Sequence, residues 1–251
     1  MDWGKGGVFT LESYFDIIKN LLDAILKSEF TPLEQASSAI AQSIMDGGIV
    51  HIFGCGHSHI LCEEMYYRAG GLVPVHPILD TGLMLHEGAA KSSDLERFEG
   101  YGFILAKYQD IRKEDTVIVI SNSGRNPVPI EMAMYAKERG AKVIVITSMD
   151  YSRSQPSRHS SGKHLYEFGD IVIDNHGVPG DAALKLDGVP EPFAPSSTVI
   201  GATILNAVFA RAVEIMYEKG FKPPIFISGN IDGSDAHNKE LMQIYKDRIK
   251  F

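Results

Sequence analysis

Short apolar runs alternate with amphipathic stretches through the middle of the chain. The runs are bounded by Gly, Ser or charged residues, which is the pattern of buried strands. They cover residues 49–53, 73–79, 116–120, 142–147 and 170–174. Helical periodicity fills the intervals between them, for example over 127–139. Strands that alternate with helices predict a mainly parallel sheet with helices on both faces.

The N-terminal part of the chain predicts helix from Thr10 to Asp46. Apolar residues recur there at intervals of three or four. A second helix is predicted to begin with Thr31 as its N-cap and Pro32 at its first position. Gly47 and Gly48 should end it.

The C-terminal part of the chain predicts two more helices, over 196–219 and 236–251. The segment from Asn175 to Pro195 is rich in proline and glycine and is predicted to be a loop. The simplest organisation is a helix over 1–30, one α/β domain over 31–220 and a C-terminal extension with a helix over 221–251. We expect a flavodoxin-like three-layer sandwich around a five-stranded sheet.

Composition and charge narrow the function classes. The 251 residues carry a formal net charge of -8 and no run of Lys and Arg, so we expect no nucleic-acid partner. We expect that no apolar run approaches the length needed to span a bilayer, and we expect no membrane partner. The first ten residues lack the apolar core of a signal peptide. Cys55 and Cys62 are spaced too widely for an easy disulfide, and free thiols fit a cytoplasmic protein.

Two turns have the same arrangement, between a predicted strand and a predicted helix. Gly54–Ser58 follows the first strand and Ser121–Asn126 follows the third, and each precedes a helix. Ligands of open parallel sheets bind at the carboxyl ends of the strands. Glycine lets the backbone approach closely, and the following helix favours an anion at its N-terminus. A third cluster, Ser196–Thr198, opens a long helix and is explained equally well as an ordinary N-cap.

Other phosphate motifs do not fit these turns. A P-loop requires a Lys that neither turn contains, and the dinucleotide fingerprint requires a third glycine where His59 stands. We therefore expect no NAD or ATP, and no cofactor of any kind. His57 and His59 flank Ser58, but two ligands are too few to predict a metal site, so we expect no metal.

With these turns, the chain resembles the SIS (sugar isomerase) family of phosphosugar isomerases and phosphosugar-binding modules. The resemblance lies in Gly54–Ser58, in Ser121–Asn126 and in Ala194–Thr198, and it extends over about residues 30 to 220. Its nearest branches are the phosphoheptose isomerases and the arabinose-phosphate isomerases. It implies a flavodoxin-like sheet, assembly into homodimers or homotetramers, and a sugar phosphate held by loop hydroxyls.

The catalytic residues of those branches do not carry over. Arg68 stands where the phosphoheptose branch has a glutamate, and no histidine lies between Ser196 and Lys219, where that branch has its catalytic histidine. Pro195 and Ser196 stand where the glucosamine-phosphate branch has a glutamate. The resemblance therefore supports binding more strongly than a named reaction.

The candidate site follows from the turns and the resemblance. The candidate phosphate-binding residues are Gly54, Gly56, His57, Ser58, Ser121, Ser123, Gly124, Asn126, Ser197 and Thr198. Aldose–ketose isomerisation needs a base beside a carbonyl. Glu64 is the predicted base, by its position after the first turn, and His86 is its predicted partner, although ordinary surface roles explain both residues too.

We expect a phosphosugar-binding protein, either a sugar-phosphate isomerase or a related converting enzyme. A non-catalytic sugar-phosphate sensor is the alternative. A muramic-acid-phosphate etherase shares the fold and is a third candidate, without clear catalytic residues here.

Overall fold

A five-stranded, all-parallel sheet forms the centre of the protein. The computed structural model describes residues 10–251, so the first nine residues of the predicted N-terminal segment lie outside the described part. The sheet order is β2-β1-β3-β4-β5. Its strands are β1 Val50–Gly54, β2 Val75–Ile78, β3 Thr116–Ile120, β4 Lys142–Thr147 and β5 Ile171–Asp174. The predicted flavodoxin-like sandwich is confirmed, and each predicted strand agrees with the observed one to within two residues at either end.

Helices cover both faces of the sheet. Their bounds are α1 Leu11–Ser28, α2 Phe30–Met45, α3 His59–Met65, α4 Ala89–Glu96, α5 Tyr101–Lys107, α6 Pro127–Glu138, α7 Met149–Ser154, α8 Ser197–Glu218 and α9 Ser234–Tyr245. On one face, α1, α2, α3 and α8 enclose an apolar core with alternate side chains of the strands, such as Ile52 and Ile118. On the other face, α5 and α6 pack against Phe53 and Val119.

Several local predictions need correction. Helix α2 begins at Phe30 with Glu29 at its cap, because the chain turns directly from α1 into α2 and Thr31 is already helical. The predicted loop 175–195 contains a hairpin of β6 Ala182–Leu184 and β7 Phe193–Pro195. Strands of three residues are too short to show a periodic pattern.

The two cysteines are free and lie in different cores. Cys55 belongs to the apolar cluster on the α6 side of the sheet, and Cys62 to the cluster on the α8 side. Burial raises the pKa of both thiols. The prediction of two unbridged thiols is confirmed.

Helix α8 is long and apolar enough, by length and composition alone, to cross a membrane. Its most apolar window has a mean hydropathy of 1.6, so the expectation that no run approaches this length was wrong. Half of that window is buried inside the fold. Ile204, Leu205 and Phe209 are among its core residues, as in the central helix of an α/β domain.

The C-terminus is bound to the amino edge of the sheet through one buried carboxylate. Asp115, directly before β3, is fully buried and accepts hydrogen bonds from both Nη atoms of Arg248, at 2.9 and 2.7 Å. It also accepts the backbone amide of Ile49 at 2.9 Å and Nε2 of His51 at 3.2 Å. Burial alone would raise the pKa of Asp115, but the hydrogen bonds from His51 and Arg248 outweigh it and hold that pKa well below its ordinary value.

Replacing Arg248 should therefore destabilise the fold strongly. Arg248→Met leaves a buried charge with fewer partners, and we expect a loss of about 3 kcal/mol in the free energy of unfolding, measured by urea denaturation. Arg112→Met is the matched control, because it removes an ion pair with Asp110 in which both side chains are about half exposed. That control should leave stability nearly unchanged. Equal effects of the two substitutions would show that the Asp115 pair contributes no more than a surface one.

Candidate active site

The two predicted turns lie side by side at the carboxyl edge of the sheet. Gly54, the last residue of β1, pairs with Ile120, the last residue of β3. The turns that follow therefore begin at the same level. Because β2 lies on the other side of β1, the chain reverses its strand order here, and this is where open α/β sheets form a ligand crevice.

Glycines fix the shape of both turns. A Cβ on Gly54 would lie 2.7 Å from the backbone of Ser58, because the first turn folds back onto its own strand. Gly124 has a φ of +57°, and a Cβ there would meet the Ser152 hydroxyl at 2.7 Å. The Ser121 hydroxyl accepts the amide of Gly124 at 3.2 Å, so Ser121 shapes the turn from within.

A narrow crevice opens between these turns and helix α8. Predicted site residues from both sides of it are brought together: His57 and Ser58 from the first turn, Ser197 and Thr198 from α8. Its other lining residues are Leu61, Ile120, Asn122, Ile146, Asn175 and Gly201. Among the described residues, the Ser58, Ser123 and Thr198 hydroxyls have no hydrogen-bond partner, although Ser123 is not among those that line the crevice.

Asn122 offers the crevice an unused donor. Its Oδ1 accepts Nδ2 of Asn175 at 2.9 Å, and Oδ1 of Asn175 in turn accepts the amide of Gly177 at 2.9 Å. These two hydrogen bonds fix the orientation of the Asn122 side-chain amide. Its Nδ2 is then buried without a hydrogen-bond partner among the described residues. A buried donor without an acceptor is costly, so the site is prepared for an acceptor atom. Asn122 lies within the predicted second turn but is not among the predicted phosphate-binding residues, and Asn175 was not predicted at all.

The N-terminus of α8 already holds an anion, and that anion is a side chain. The carboxylate of Asp181 accepts the amides of Ser196 and Ser197 at 3.1 and 2.9 Å, and the Ser197 hydroxyl as well. Asp181 has a φ of +61°, in the left-handed region, which brings its carboxylate onto the helix end. Ser197 lines the crevice, but its hydroxyl is engaged by Asp181.

Asn126 is also engaged, on the opposite flank of the second turn. Its Nδ2 donates to Oε1 of Glu96 at 2.8 Å, and its Oδ1 accepts Nη1 of Arg158 at 2.8 Å. Burial raises the pKa of the Glu96 carboxyl, although the bond from Asn126 and the nearby Arg97 and Arg158 oppose that rise. Glu96 was not predicted as a site residue, because its contact with the turn spans 30 residues.

The two residues predicted for acid–base chemistry lie outside the crevice lining. The carboxylate of Glu64 accepts Arg68, its neighbour one turn along α3, and Nδ2 of Asn206 on α8. His86 is exposed in the segment before α4. Their catalytic roles stay predictions.

One cluster of residues in the described part of the chain is compact enough to surround a cation: Glu99, Glu131 and His159. Nδ1 of His159 accepts the backbone amide of Ser161 at 3.2 Å, so the neutral ring carries its proton on Nε2, the atom nearest the two carboxylates. Glu131 accepts the amides of Gly100, Gly102 and Phe103, which begin α5. The arrangement fits a structural cap of α5 better than a metal site.

Similar sequences identify the family of the chain. A UPF0309 protein of Halalkalibacterium halodurans is 56% identical over 239 residues, which is 95% of this chain and 96% of that protein. A UPF0309 protein of Listeria innocua is 54% identical over the same share of this chain. The sequence model of the SIS domain matches residues 13–148, more than half of the chain. The chain belongs to the SIS domain family.

Solved structures agree with this assignment at the level of the fold. A phosphoheptose isomerase from Neisseria gonorrhoeae covers 82% of this SIS protein and 97% of its own chain, with a TM-score of 0.54 and 18% identity. A phosphoheptose isomerase from Francisella tularensis covers 81% and 96%, with a TM-score of 0.53 and 17% identity. The resemblance drawn from the two turns is confirmed.

Proposed function

We propose that this SIS protein binds a phosphorylated sugar at the carboxyl edge of β1 and β3 and isomerises it between aldose and ketose. The proposal rests on the crevice lined by Ser58 and Thr198, whose hydroxyls are free, and by Asn122, whose buried Nδ2 lacks an acceptor. Phosphate oxygens would supply the missing acceptor and can accept several hydrogen bonds at once. The family membership and the fold shared with phosphoheptose isomerases support the same ligand class.

The phosphate would be held mainly by hydroxyls and side-chain amides. Helix α6 begins with Pro127, and Pro129 follows two residues later, so two of the amides that a helix N-terminus usually presents are absent. The α8 N-terminus is capped by Asp181. Ser58, Asn122 and Thr198, which line the crevice, are therefore the donors that we assign to the phosphate, together with Ser123, the neighbour of Asn122 in the second turn.

Ser123→Ala should weaken sugar-phosphate binding and leave the fold intact. A hydrogen bond to a charged group contributes about 1.5–3 kcal/mol, which predicts a loss of about tenfold to a hundredfold in affinity. A thermal-shift screen over sugar phosphates identifies the ligand, and calorimetry measures the loss. Ser154→Ala is a control, since that hydroxyl is exposed and bonds only the Tyr151 carbonyl. Unchanged affinity in Ser123→Ala would remove this residue from the site.

The acid–base step has two candidate carboxylates. Glu64 was assigned from its position in sequence, together with His86, but Arg68 and Asn206 engage its carboxylate. Glu96, like Glu64, does not line the crevice, but it contacts the second turn at Asn126, and burial raises its pKa. A carboxyl whose pKa is raised toward neutrality can both take and return a proton. We therefore assign the proton transfer to Glu96.

The two assignments are separated by isosteric variants measured side by side. Glu96→Gln should retain binding and lose about 10²–10⁴-fold in the rate of solvent-deuterium exchange into the bound sugar, because an amide cannot take the proton. Glu64→Gln should exchange at nearly the wild-type rate. The reverse pattern would return the role to Glu64. Tight binding without exchange in the wild type would favour the alternative, a non-catalytic sugar-phosphate sensor. The chain lacks the glutamate and the histidine of the phosphoheptose branch, which also favours that alternative.

We also propose a homodimer or homotetramer in a reducing cytoplasm. Large apolar side chains lie exposed along one face of α1, among them Leu11, Phe15 and Leu26, and α8 exposes Val199. Such a stripe is the usual signature of a protein interface. The free, buried thiols suit a reducing compartment.

Light scattering at micromolar concentration should give the mass of two or four chains. Phe15→Glu should lower that mass, because it places a charge in the α1 stripe. Tyr108→Glu is the control, since Tyr108 is even more exposed but lies at the end of α5, away from the stripe. A monomeric wild type, or dissociation by both variants alike, would contradict this assembly.

A further inference from the structure

Three arginines converge on the flank of the second turn that faces α4. Arg97 follows α4, Arg125 lies in the turn, and Arg158 follows α7. The amide of Arg158 donates to the carbonyl of Arg125 at 2.8 Å, and its Nη1 donates to Oδ1 of Asn126 at 2.8 Å. The other end of the Asn126 side chain bonds Glu96, the neighbour of Arg97. One chain of contacts around Asn126 therefore groups the three side chains.

This cluster carries positive charge without a matching carboxylate. Of the nine arginines, four have a carboxylate oxygen within 4 Å: Arg68, Arg112, Arg211 and Arg248. Within residues 10–251, Arg97, Arg125 and Arg158 have none. Glu96 acts electrostatically on Arg158, and burial raises the pKa of Glu96, although Arg97 and Arg158 oppose that rise.

The three charges act on one another. Partial burial lowers the pKa of Arg158, and the positive charges of Arg125 and Arg97 lower it further. Repulsion among the three arginines costs free energy, and an anion bound between them would reduce it. In a chain whose net charge is -8, this is a local excess of the opposite sign.

The hydrogen bonds that these arginines make to the turn do not explain why three positive charges lie together. Nε of Arg125 donates to the Pro156 carbonyl at 3.0 Å, a bond that a neutral donor could also make. The side chain of Arg97 makes no hydrogen bond to any described residue. The guanidinium groups keep most of their donors, which suit the paired oxygens of a carboxylate or a phosphate.

We propose that Arg97, Arg125 and Arg158 bind a second acidic group of the ligand, so that the substrate is a sugar phosphate carrying an additional carboxylate or phosphate. This proposal rests on the proposed function, in which the crevice side of the turn holds the first phosphate. Ser123 and Arg125 are separated by one residue, so their Cα atoms lie within about 7 Å. A single sugar can therefore span the serine side and the arginine side of the turn.

Calorimetry at fixed ionic strength tests this with three probes: glucose 6-phosphate, 6-phosphogluconate and fructose 1,6-bisphosphate. The wild type should bind at least one of the two doubly acidic probes about tenfold or more tighter than glucose 6-phosphate. Arg97→Gln and Arg158→Gln should lose that preference and keep the affinity for glucose 6-phosphate. Arg97→Gln breaks no hydrogen bond within the described chain, so it tests the charge even where Arg158→Gln fails to fold.

Arg139→Gln is the matched control, since Arg139 also lacks a carboxylate partner but lies at the far end of α6. It should bind all three probes as the wild type does. Glucose 6-phosphate binding with no gain for either acidic probe would overturn this inference and leave the proposed function standing. An equal loss for all three probes in the arginine variants would also overturn it, because the arginines would then bind the single phosphate. Failure of every probe to bind the folded wild type would count against the proposed function itself, and the inference would fall with it.

Discussion

The register between β1 and β3 is the constraint on which the rest of the site depends. Gly54 lies opposite Ile120, so two turns that are 67 positions apart in the chain begin at one level and share one crevice. A shift of one residue would also reverse which side chains face each core. The same pairing that buries Ile52 and Ile118 in one apolar layer therefore determines where Ser58 and Asn122 meet.

The charges near the site differ from the net charge of the whole chain. The chain as a whole is acidic, and one helix end at the carboxyl edge is already neutralised by Asp181. The second turn divides the remaining donors into two groups. Neutral hydroxyls and an amide face α8, and charged guanidinium groups face α4 and α7. This division would give the two ends of the proposed ligand different surroundings.

Much of this architecture could be predicted from the sequence, because its signals are local. A buried strand, a glycine turn and a following helix occupy consecutive residues, and β3 and β4 were predicted with their observed bounds. The hairpin of β6 and β7 was missed because its strands are too short for periodicity.

The partners of the site could not be predicted, because each comes from a distant element. Asn175 reaches Asn122 across 53 residues, and Glu96 reaches Asn126 across 30. Single hydrogen bonds of this kind leave no pattern in the sequence. Ser197 and Asn126 illustrate the converse: both lie where the motif placed them, but Asp181 and Glu96 engage their polar atoms.

The bond between Asp115 and Arg248 has a consequence for biosynthesis. Arg248 follows Asp115 by 133 residues, whereas Asp115 directly precedes the central strand and is fully buried. During translation the strands emerge long before their counter-ion does. Until Arg248 has emerged from the ribosome, the carboxylate of Asp115 lacks its main partner. The nascent sheet can therefore complete its strand order before its buried charge is paired.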